Sequence, residues 1–464
     1  MLSTSLSILL VLCIAVVCIF EFINGFHDTA NAVATVIYTR TLKPWHAVIW
    51  SGFCNFSGVL VGGVAVAMGI VNLLPADILI EQGIYQNIAM CLAVLIASIS
   101  WNLGTWYFGI PCSSSHTLIG SLLGVGIVFS MLPENTAGVG VNWAKAKDIG
   151  TSLLVSPLFG FSMAVSLMFI LKSVIKNKDI FKEPPAEGKP PMWIRIILFF
   201  TCTGVSFSHG SNDGQKGVGL IMIILITFLP ARFALSPNFD PAEANRHISN
   251  MEQILTNNVA GNIASNELSK TVEAINLLKS DISQYNKQDT KVPLHLRKRI
   301  QLLDKKIKVF LDEPGIITAD NGRSEIKSSI GALKKYTEYT PFWSIILISL
   351  SLGLGTMIGW KRIVVTIGEK IGKRHMTYAE GATAEIIAAS TIGVSTWLGL
   401  PVSTTHVLSS GVAGSMVASK GTKNLQGSTV KNIVLAWIFT LPVTIILSGG
   451  LFLLFRAIVK GLGY

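Results

Sequence analysis

The chain has 464 residues, of which 50% are hydrophobic and only 14% are charged, and its formal net charge is +11. Soluble proteins carry nearer ~25% charged residues, so the composition excludes an ordinary soluble domain and indicates a polytopic membrane protein. The positive charge does not indicate nucleic-acid binding, because the lysines and arginines lie mainly in short loops between apolar runs, as cytoplasmic loops of membrane proteins do. All six cysteines lie in apolar stretches without the spacing of a metal site or a disulfide framework.

Ten apolar runs are candidate spans, since about 20 residues cross a bilayer. They cover residues 6–39, 46–74, 87–108, 110–131, 150–171, 193–229, 341–360, 379–398, 400–418 and 430–456. The first run continues without a cleavage site and is predicted to be a retained helix whose N-terminus faces outward. The first and sixth runs are too long for one span and contain polar motifs, so we expect broken helices. The fourth and ninth are short, follow Gly-x-Pro and are rich in serine and threonine, so we expect re-entrant hairpins.

The basic loops set the predicted domain organisation. Five segments follow in chain order: an N-terminal membrane repeat at 1–171, a basic cytoplasmic loop at 172–192, the start of a second membrane repeat at 193–230, a polar insert at 231–340 and the rest of the second repeat at 341–464. If the basic loops are cytoplasmic, the first and sixth runs are antiparallel, so the two repeats are inverted. This topology places the insert, with its short amphipathic helices, on the periplasmic side.

A polar motif in the first run recurs in the sixth. Gly25-Phe-His-Asp28-Thr-Ala-Asn31 is repeated as Gly210-Ser-Asn-Asp213-Gly-Gln-Lys216. A carboxylate at membrane depth is costly and usually marks an ion or substrate path. Two of them in matching places of two halves are typical of a transporter whose repeats share one central site. Residues three apart on a helix share a face, so Asp28 and Asn31 are expected to line one cavity, as are Asp213 and Lys216.

The second copy has Lys216 where the first has Asn31. An ammonium group there supplies a fixed positive charge at the place where a symmetric site would bind a cation, and it can hold an anion. Carboxylates in such a setting can carry protons, so the residue favours coupling to protons over coupling to sodium. We assign ion coupling to Asp28, Asn31, Asn212 and Asp213, and substrate binding to Lys216 and Gln215.

A second repeated motif supplies hydroxyl groups. Gly109-Ile-Pro-Cys-Ser-Ser-Ser-His116 recurs as Gly399-Leu-Pro-Val-Ser-Thr-Thr-His406. If helices begin there, their free N–H groups and positive dipole ends form an anion pocket. An ordinary helix cap needs one hydroxyl rather than three in a row. The predicted substrate ligands are therefore Ser113, Ser114, Ser115, Ser403, Thr404 and Thr405.

Histidines accompany all four motifs. His116 and His406 follow the hydroxyl runs, His27 and His209 neighbour the Asp motifs, and Glu21 lies seven residues before Asp28 and so shares its face. Their predicted role is either proton relay or positioning of the hairpins, and the residues leave both open. Glu385, in the eighth run, has no counterpart in the first half. No set of side chains has the spacing of a resident metal site.

At these residues the chain closely resembles the inorganic phosphate transporter (Pit) family, in particular its bacterial low-affinity members. That family carries a duplicated Gly-Ala-Asn-Asp-Val-x-Asn-Ala signature, whose places are taken here by residues 24–32 and 209–217. The resemblance covers nearly the whole chain except the 231–340 insert. It implies symport of inorganic phosphate, with Asp28, Asn31 and Asp213 at the coupling-ion and substrate site and phosphate contacts from the two hydroxyl runs.

Relatives with Asn in both copies are commonly sodium-coupled, and His27 and Lys216 depart from that pattern. The departure resembles the proton-coupled bacterial branch, which is associated with uptake of phosphate as a neutral complex with a divalent metal. The resemblance therefore implies protons as the coupling ion, no cofactor, and magnesium, calcium, manganese or zinc as a co-substrate. It also implies a multi-pass protein of a bacterial inner (plasma) membrane, whose partners are phosphate and the lipid bilayer, and it leaves a homodimer open.

Three other functions are weaker. A sodium-coupled phosphate or sulfate carrier lacks the second Asn. An intramembrane hydrolase using Ser115 and His116 is disfavoured because adjacent residues on a helix do not face each other and no Gly-x-Ser-x-Gly elbow is present. An ATP-driven pump lacks a Gly-x4-Gly-Lys-[Ser/Thr] loop. The prediction is a transporter and not an enzyme.

Overall fold

The structure is a computed structural model that describes residues 3–28, 30–74, 78, 83–135, 140–185, 188–258, 262–286, 289, 291–312, 317 and 321–463. Throughout these residues the chain forms helices and no β-strand, which confirms the predicted all-α fold. The chain divides into two compact units. The membrane unit comprises residues 1–74, 85–221 and 341–464, and the insert unit comprises residues 75–84 and 222–340.

The helices of the first half begin and end as follows: α1 Thr4–Asp28, α2 Ala30–Tyr38, α3 Pro44–Val61, α4 Ala65–Val71, α5 Ile84–Tyr107, α6 Ser114–Ser130 and α7 Trp143–Val174, with a 3₁₀ turn at Lys178–Phe181. Helix α8 covers Met192–Phe228 and is followed by α9 at Pro230–Phe233, α10 at Pro241–Asn258, α11 at Asn262–Ser283, α12 at Val292–Asp312 and α13 at Gly322–Thr337. The chain then forms α14 Phe342–Thr356, α15 Lys361–Val365, a π-helical turn at Thr366–Lys370, α16 Tyr378–Trp397, α17 Thr404–Lys420, a 3₁₀ turn at Thr422–Asn424 and α18 Gly427–Gly461.

Several helices are long and apolar enough to cross a membrane. By length and composition there are five candidates among the described residues, or up to seven if two bent helix pairs each count as one span. One of these pairs is α3 with α4, which are bent by 74°. The protein is therefore multi-pass, and the count of ten spans stays a prediction.

The sixth apolar run is one uninterrupted helix, α8, of 37 residues, so the expectation that it breaks at its motif is wrong. Helix α8 contains no proline, which is one of the residues that most often break a helix. Its glycines serve close packing instead. A Cβ on Gly210 would lie 2.7 Å from the Cα of Asn55, so the missing side chain lets α8 lie directly against α3.

The two hydroxyl motifs form hairpins with the same turn. Gly109, two residues after the end of α5, has φ +65°, and Gly399, two residues after the end of α16, has φ +67°. After each glycine a backbone N–H reaches back five residues, from Ile110 to Thr105 O and from Leu400 to Ser395 O, both at 2.9 Å. A left-handed glycine with such a bond ends a helix and gives partners to carbonyls of its last turn. Helices α6 and α17 follow, each of 17 residues and so about 26 Å long, shorter than the ~30 Å hydrocarbon core. The length supports re-entrant hairpins.

Each hairpin packs on the last long helix of the opposite half. Helix α17 lies against α7, where a Cβ at Gly414 would be 2.5 Å from Phe161 O and one at Gly160 would be 2.7 Å from Val407 O. Helix α6 lies against α18, where Gly124 meets the backbone of Ile445. Small residues allow such close helix approach in membranes. The crossed packing is the arrangement that two related halves sharing one centre would produce.

The insert unit has its own core. Apolar side chains of its helices are buried together, among them Ile248, Leu278, Leu303 and Leu333. The guanidinium of buried Arg297 donates to Ala234 O at 3.2 Å and to Thr337 O at 2.7 Å, so it joins the first and last parts of the insert. The amphipathic spacing in the sequence is explained by this bundle.

Candidate ion and substrate site

Asp28 lies where the two hairpin helices begin. It is the last residue of α1, is buried, and accepts hydrogen bonds from both halves of the membrane unit. The Ser114 hydroxyl at the start of α6 donates to Asp28 Oδ2 at 2.9 Å, and the Thr405 hydroxyl at the start of α17 donates to Asp28 Oδ1 at 2.6 Å. The first Asp motif and both hydroxyl runs therefore form one cluster.

The second Asp motif completes this cluster. Lys216 Nζ donates to Asp213 Oδ2 at 2.6 Å, to Ser114 Oγ at 2.8 Å and to Ser115 Oγ at 3.1 Å. Asp213 and Lys216 are one helical turn apart on α8, which is why the pair can form. Ser115 donates in turn to Val402 O at 2.8 Å, in the second hairpin. The ammonium of Lys216 is thus held between a carboxylate and the start of α6.

Two histidines flank the carboxylates. His209 Nε2 lies 3.4 Å from Asp213 Oδ2 and 3.8 Å from Asp28 Oδ2. Ligand atoms of Asp28, His209 and Asp213 all lie within 4.8 Å of one another, which is close enough for a metal ion to be held by all three. His27 Nδ1 lies 3.4 Å from Asp28 Oδ1, and its Nε2 lies 3.2 Å from the hydroxyl of Thr105 on α5. The sequence did not show that Asp28, His209 and Asp213 lie close enough together to hold a metal ion.

In each hydroxyl motif the first serine and the final histidine hold the start of the helix in place. Ser113 and Ser403 are N-caps, whose side chains accept from the backbone N–H of His116 at 3.2 Å and of His406 at 3.1 Å. The rings of His116 and His406 lie 4.4 Å apart, and His406 stacks on Trp437 at 4.0 Å. The histidines therefore join the two helix starts. Thr404 is buried beside them.

Two predicted residues, Asn212 and Gln215, brace backbone near the cluster. Asn212 donates to Thr396 Oγ1 at 2.9 Å and to Leu400 O at 3.2 Å, and so holds the turn of the second hairpin. Gln215 donates to Gly62 O at 2.7 Å and accepts from Val66 N at 2.8 Å, which braces the bend between α3 and α4. The structure does not bring their amides to the carboxylate cluster. The side chain of Asn31 lies outside the described part of the chain.

Comparison with known proteins identifies the family. The sequence pattern of the phosphate transporter family matches residues 24–448. The chain belongs to this family. The low-affinity inorganic phosphate transporter PitA of Escherichia coli (strain K12) is 42% identical over 483 residues, covering 96% of both chains. The probable low-affinity inorganic phosphate transporter of Bacillus subtilis (strain 168) is 28% identical, covering 95% of this chain and 94% of the relative.

A solved structure of a sodium-dependent phosphate transporter has the same fold. It superposes with a TM-score of 0.56 over 97% of this chain and 99% of that chain, at 21% identity. The family and the apolar helices make the protein a multi-pass transporter of the inner membrane rather than an enzyme, as the sequence predicted.

Three polar residues that the sequence analysis did not single out, Asn55, Thr356 and Asn24, hydrogen-bond to each other or to the predicted residues His209 and Glu21. His209 Nδ1 lies 2.9 Å from Asn55 Oδ1 on α3, and Asn55 donates to Thr356 Oγ1 on α14 at 2.9 Å. Glu21 accepts from Asn24 at 3.0 Å and lies beside Gly217, where a Cβ would be 2.8 Å from Glu21 Oε1. An Asn inside an apolar run, such as Asn55, is the signal in the sequence that could have indicated these supporting residues.

Glu385 has its own partners, away from the repeated motifs. The hydroxyls of Thr35 on α2 and Thr201 on α8 both donate to its carboxylate, and the side chain is buried. Glu385 therefore joins three helices of the transporter at membrane depth. The sequence showed the carboxylate but not its two hydroxyl partners.

The central cluster can bind an anion only together with positive charge. Asp28 and Asp213 carry two negative charges against one positive charge on Lys216 when the histidines are neutral. Burying further negative charge without compensation is costly. An anion arriving at the helix starts therefore requires a proton or a metal cation in the same place.

Proposed function

We propose that the transporter imports inorganic phosphate by symport with protons. The observation that carries the proposal is the position of Lys216 Nζ, which contacts Asp213 and the hydroxyls of Ser114 and Ser115 at the start of α6. A fixed cation beside a helix N-terminus favours an oxyanion. Phosphate is the anion named for the relatives that match nearly the whole chain.

The proposed phosphate ligands come from both hairpins. The hydroxyls of Ser114, Ser115 and Thr405 and the free N–H groups at the starts of α6 and α17 supply neutral donors, and Lys216 supplies the charge. Ser113 and Ser403 hold the backbone that presents these donors. A tetrahedral oxyanion has enough acceptor oxygens to use donors from two directions.

Competition for the same donors would couple the proton to phosphate. When Asp28 is ionised, it accepts the hydroxyl hydrogen bonds of Ser114 and Thr405. Protonation of Asp28 removes its charge and releases these hydroxyls to the substrate. Lys216 stays paired with Asp213, and the two N–H groups that otherwise donate to Ser114 and Ser115 turn to the anion. Proton and phosphate then bind together, and each favours the binding of the other.

The same cluster can accept a divalent cation that travels with phosphate. Asp28, His209 and Asp213 present ligand atoms within 4.8 Å of one another, and carboxylate with imidazole suits metals such as zinc and manganese. We propose that a metal–phosphate complex is also transported as one neutral substrate: the metal then takes the place of the proton on Asp28 and is held by these three side chains, and the phosphate lies at the hairpin starts.

The test is radiolabelled phosphate uptake into proteoliposomes with an inward proton gradient or an inward sodium gradient, each with and without Mg²⁺ or Zn²⁺. Uptake driven by the proton gradient alone supports the coupling proposal, and a requirement for the divalent ion supports the complex as substrate. Uptake that requires sodium would contradict proton coupling. Absence of uptake under every gradient would contradict phosphate as the substrate.

Lys216→Asn sharpens the test because it gives the second motif the residue that the first motif has. We expect proton-driven uptake to fall and sodium-driven uptake to become measurable. Asp148→Asn, outside the cluster, is the matched control and keeps the wild-type ion dependence. Unchanged ion dependence in Lys216→Asn would contradict the role given to Lys216.

A further inference from the structure

A second polar feature of the membrane unit lies outside the central cluster. A cavity of about 600 Å³ lies between the turn of the first hairpin and the segment that contains α15 and the π-helical turn. Its lining includes Trp106, Tyr107, Phe108, Lys361, Arg362 and Lys370. We call it the aromatic–basic cavity. None of these residues belongs to the repeated motifs.

One cation of the cavity is fixed in place by the first hairpin. Arg362 Nη1 donates to Tyr107 O at 2.7 Å. Its guanidinium lies 5.1 Å from the ring centre of Trp106 and 5.0 Å from that of Tyr107, within the range of cation–π attraction. An arginine held in this way is oriented before any ligand binds, and its planar fork suits the oxygens of a phosphate group.

The charges that line the cavity all have one sign. Lys361, Arg362 and Lys370 bring three positive charges, and no carboxylate is present among the described lining residues. Beside them Tyr107 is 60% exposed and Phe108 is 75% exposed. Aromatic side chains with lysine and arginine at the ends of apolar helices are typical of the membrane–water interface. The three cations also lie between the seventh and eighth apolar runs, in a loop that the predicted topology places on the cytoplasmic side, since the seventh run crosses the membrane from the periplasmic insert.

We propose that the aromatic–basic cavity binds the phosphodiester headgroup of an anionic phospholipid. Basic pockets between transmembrane helices on the cytoplasmic side are suited to anionic headgroups. A volume of about 600 Å³ is in the range that holds a ligand of drug size, which exceeds the need of a free phosphate ion. The exposed rings of Tyr107 and Phe108 give the acyl chains an apolar contact, which a free anion would not use.

The cavity is connected to the central cluster through the first hairpin. Trp106 packs on Phe26, two residues from Asp28, with ring centres 4.9 Å apart. The Thr366 hydroxyl donates to Gly109 O at 2.7 Å in the hairpin turn. A headgroup held by Lys361, Arg362 and Lys370 therefore fixes the segment that supports this turn. Anionic lipid should stabilise the hairpin from which Ser114 and Ser115 reach Lys216.

The test is native mass spectrometry of the delipidated full-length protein, titrated with phosphatidylglycerol and, separately, with phosphatidylcholine of the same acyl chains. The variant is Lys361→Gln with Lys370→Gln, which removes two charges and leaves the structural bond of Arg362. The matched control is Lys176→Gln with Lys423→Gln, two exposed lysines of the same unit. A third titration uses inorganic phosphate as a competitor.

We expect one phosphatidylglycerol to bind more tightly than phosphatidylcholine, and the double variant to weaken it roughly 30-fold, since each cation near an anionic lipid contributes on the order of 1 kcal/mol. The control pair should bind as the wild type does. Equal binding of both lipids, or equal loss in variant and control, would overturn the proposal. Displacement of the lipid by inorganic phosphate would also overturn it and assign the cavity to the free anion. None of these outcomes depends on transport.

Discussion

The two Asp motifs occupy matching places in the two halves, yet their carboxylates are neutralised differently. Asp28 accepts hydroxyl hydrogen bonds from Ser114 of one hairpin and Thr405 of the other. Asp213 lies 2.6 Å from the ammonium of Lys216, which its own helix supplies. The first carboxylate is held at short range by both hairpins, whereas the second accepts a longer bond from Ser114, at 3.3 Å, and has its counter-ion on its own helix.

This difference assigns separate tasks to the two carboxylates. A charge that is held by hydroxyls from two hairpins can gain a proton and release these hydroxyls, so Asp28 is the proton carrier in our proposal. A charge that is paired inside one helix changes little when the hairpins move, so Asp213 keeps Lys216 in place for the anion. Equal roles for the two aspartates would contradict this division.

The largest expected effect is that of Asp213→Asn. Removing one partner of a buried ion pair leaves the other charge uncompensated and costs about 3–5 kcal/mol. We expect loss of uptake together with a clear loss of folded protein, measured by size-exclusion profile and thermal unfolding in detergent. Adding Lys216→Met to Asp213→Asn should recover the fold without recovering transport. A single variant that is as stable as the wild type would contradict the buried pair.

Asp28→Asn is expected to abolish accumulation but to preserve the fold. The hydroxyls of Ser114 and Thr405 and the rings of His27 and His209, which lie around Asp28, can also hydrogen-bond to an amide, so we expect the melting temperature to change by less than about 5 °C. Proton-driven uptake should fall at least ~100-fold, because two hydrogen bonds to a charged group, worth about 1.5–3 kcal/mol each, are weakened and the proton site is lost. Wild-type uptake by this variant would remove Asp28 from the site.

Much of the cluster was predictable because polar residues that recur at the same spacing in two apolar runs rarely have a packing role alone. Asp28, Asp213, Lys216 and the hydroxyl runs were identified in this way. The sequence could not show which hydroxyl meets which carboxylate, because spacing defines the face of a helix but not its rotation against other helices. The contacts of Ser115 with Val402 and of Thr405 with Asp28 depend on that rotation.

Other features depended on packing that spacing does not reveal. The motif of α8 is rich in glycine and polar residues, a pattern also found where helices unwind, so a break was predicted. The glycines instead let α8 lie against α3, and the helix continues. Asn212 and Gln215 were assigned by their place in the motif, but their amides hold backbone of the second hairpin and of the α3–α4 bend.

Thr405→Ala and Ser115→Ala compare equivalent positions of the two hairpins. Thr405 donates to the carboxylate of Asp28 at 2.6 Å, whereas Ser115 donates to a backbone carbonyl at 2.8 Å and accepts from the ammonium of Lys216 at the longer distance of 3.1 Å. The short bond to a charged group is worth about 1.5–3 kcal/mol, and the loss of Ser115 leaves Lys216 its two closer partners, Asp213 and Ser114. We expect initial uptake rates to fall roughly 10- to 100-fold for Thr405→Ala and less than ~10-fold for Ser115→Ala. Ser130→Ala, at the far end of α6, is the control, and equal losses in the two test variants would contradict the unequal roles.

The C-terminal ends of α6 and α17 are also held by different contacts. Lys172→Gln removes one of these contacts and is the change with the smallest expected effect. Lys172 of α7 donates to Ala418 O at 2.8 Å and to Ser419 O at 3.3 Å, in the last turn of α17. Near α6, by contrast, Arg456 and Lys460 of α18 pair with Glu134. A cation at a helix C-terminus contributes about 0.3–1 kcal/mol, so we expect the melting temperature to fall by less than ~2 °C and uptake to remain within about twofold of wild type. The control is Lys176→Gln. A large loss of uptake would mean that the outer end of α17 moves during transport and that Lys172 holds it in one of its positions.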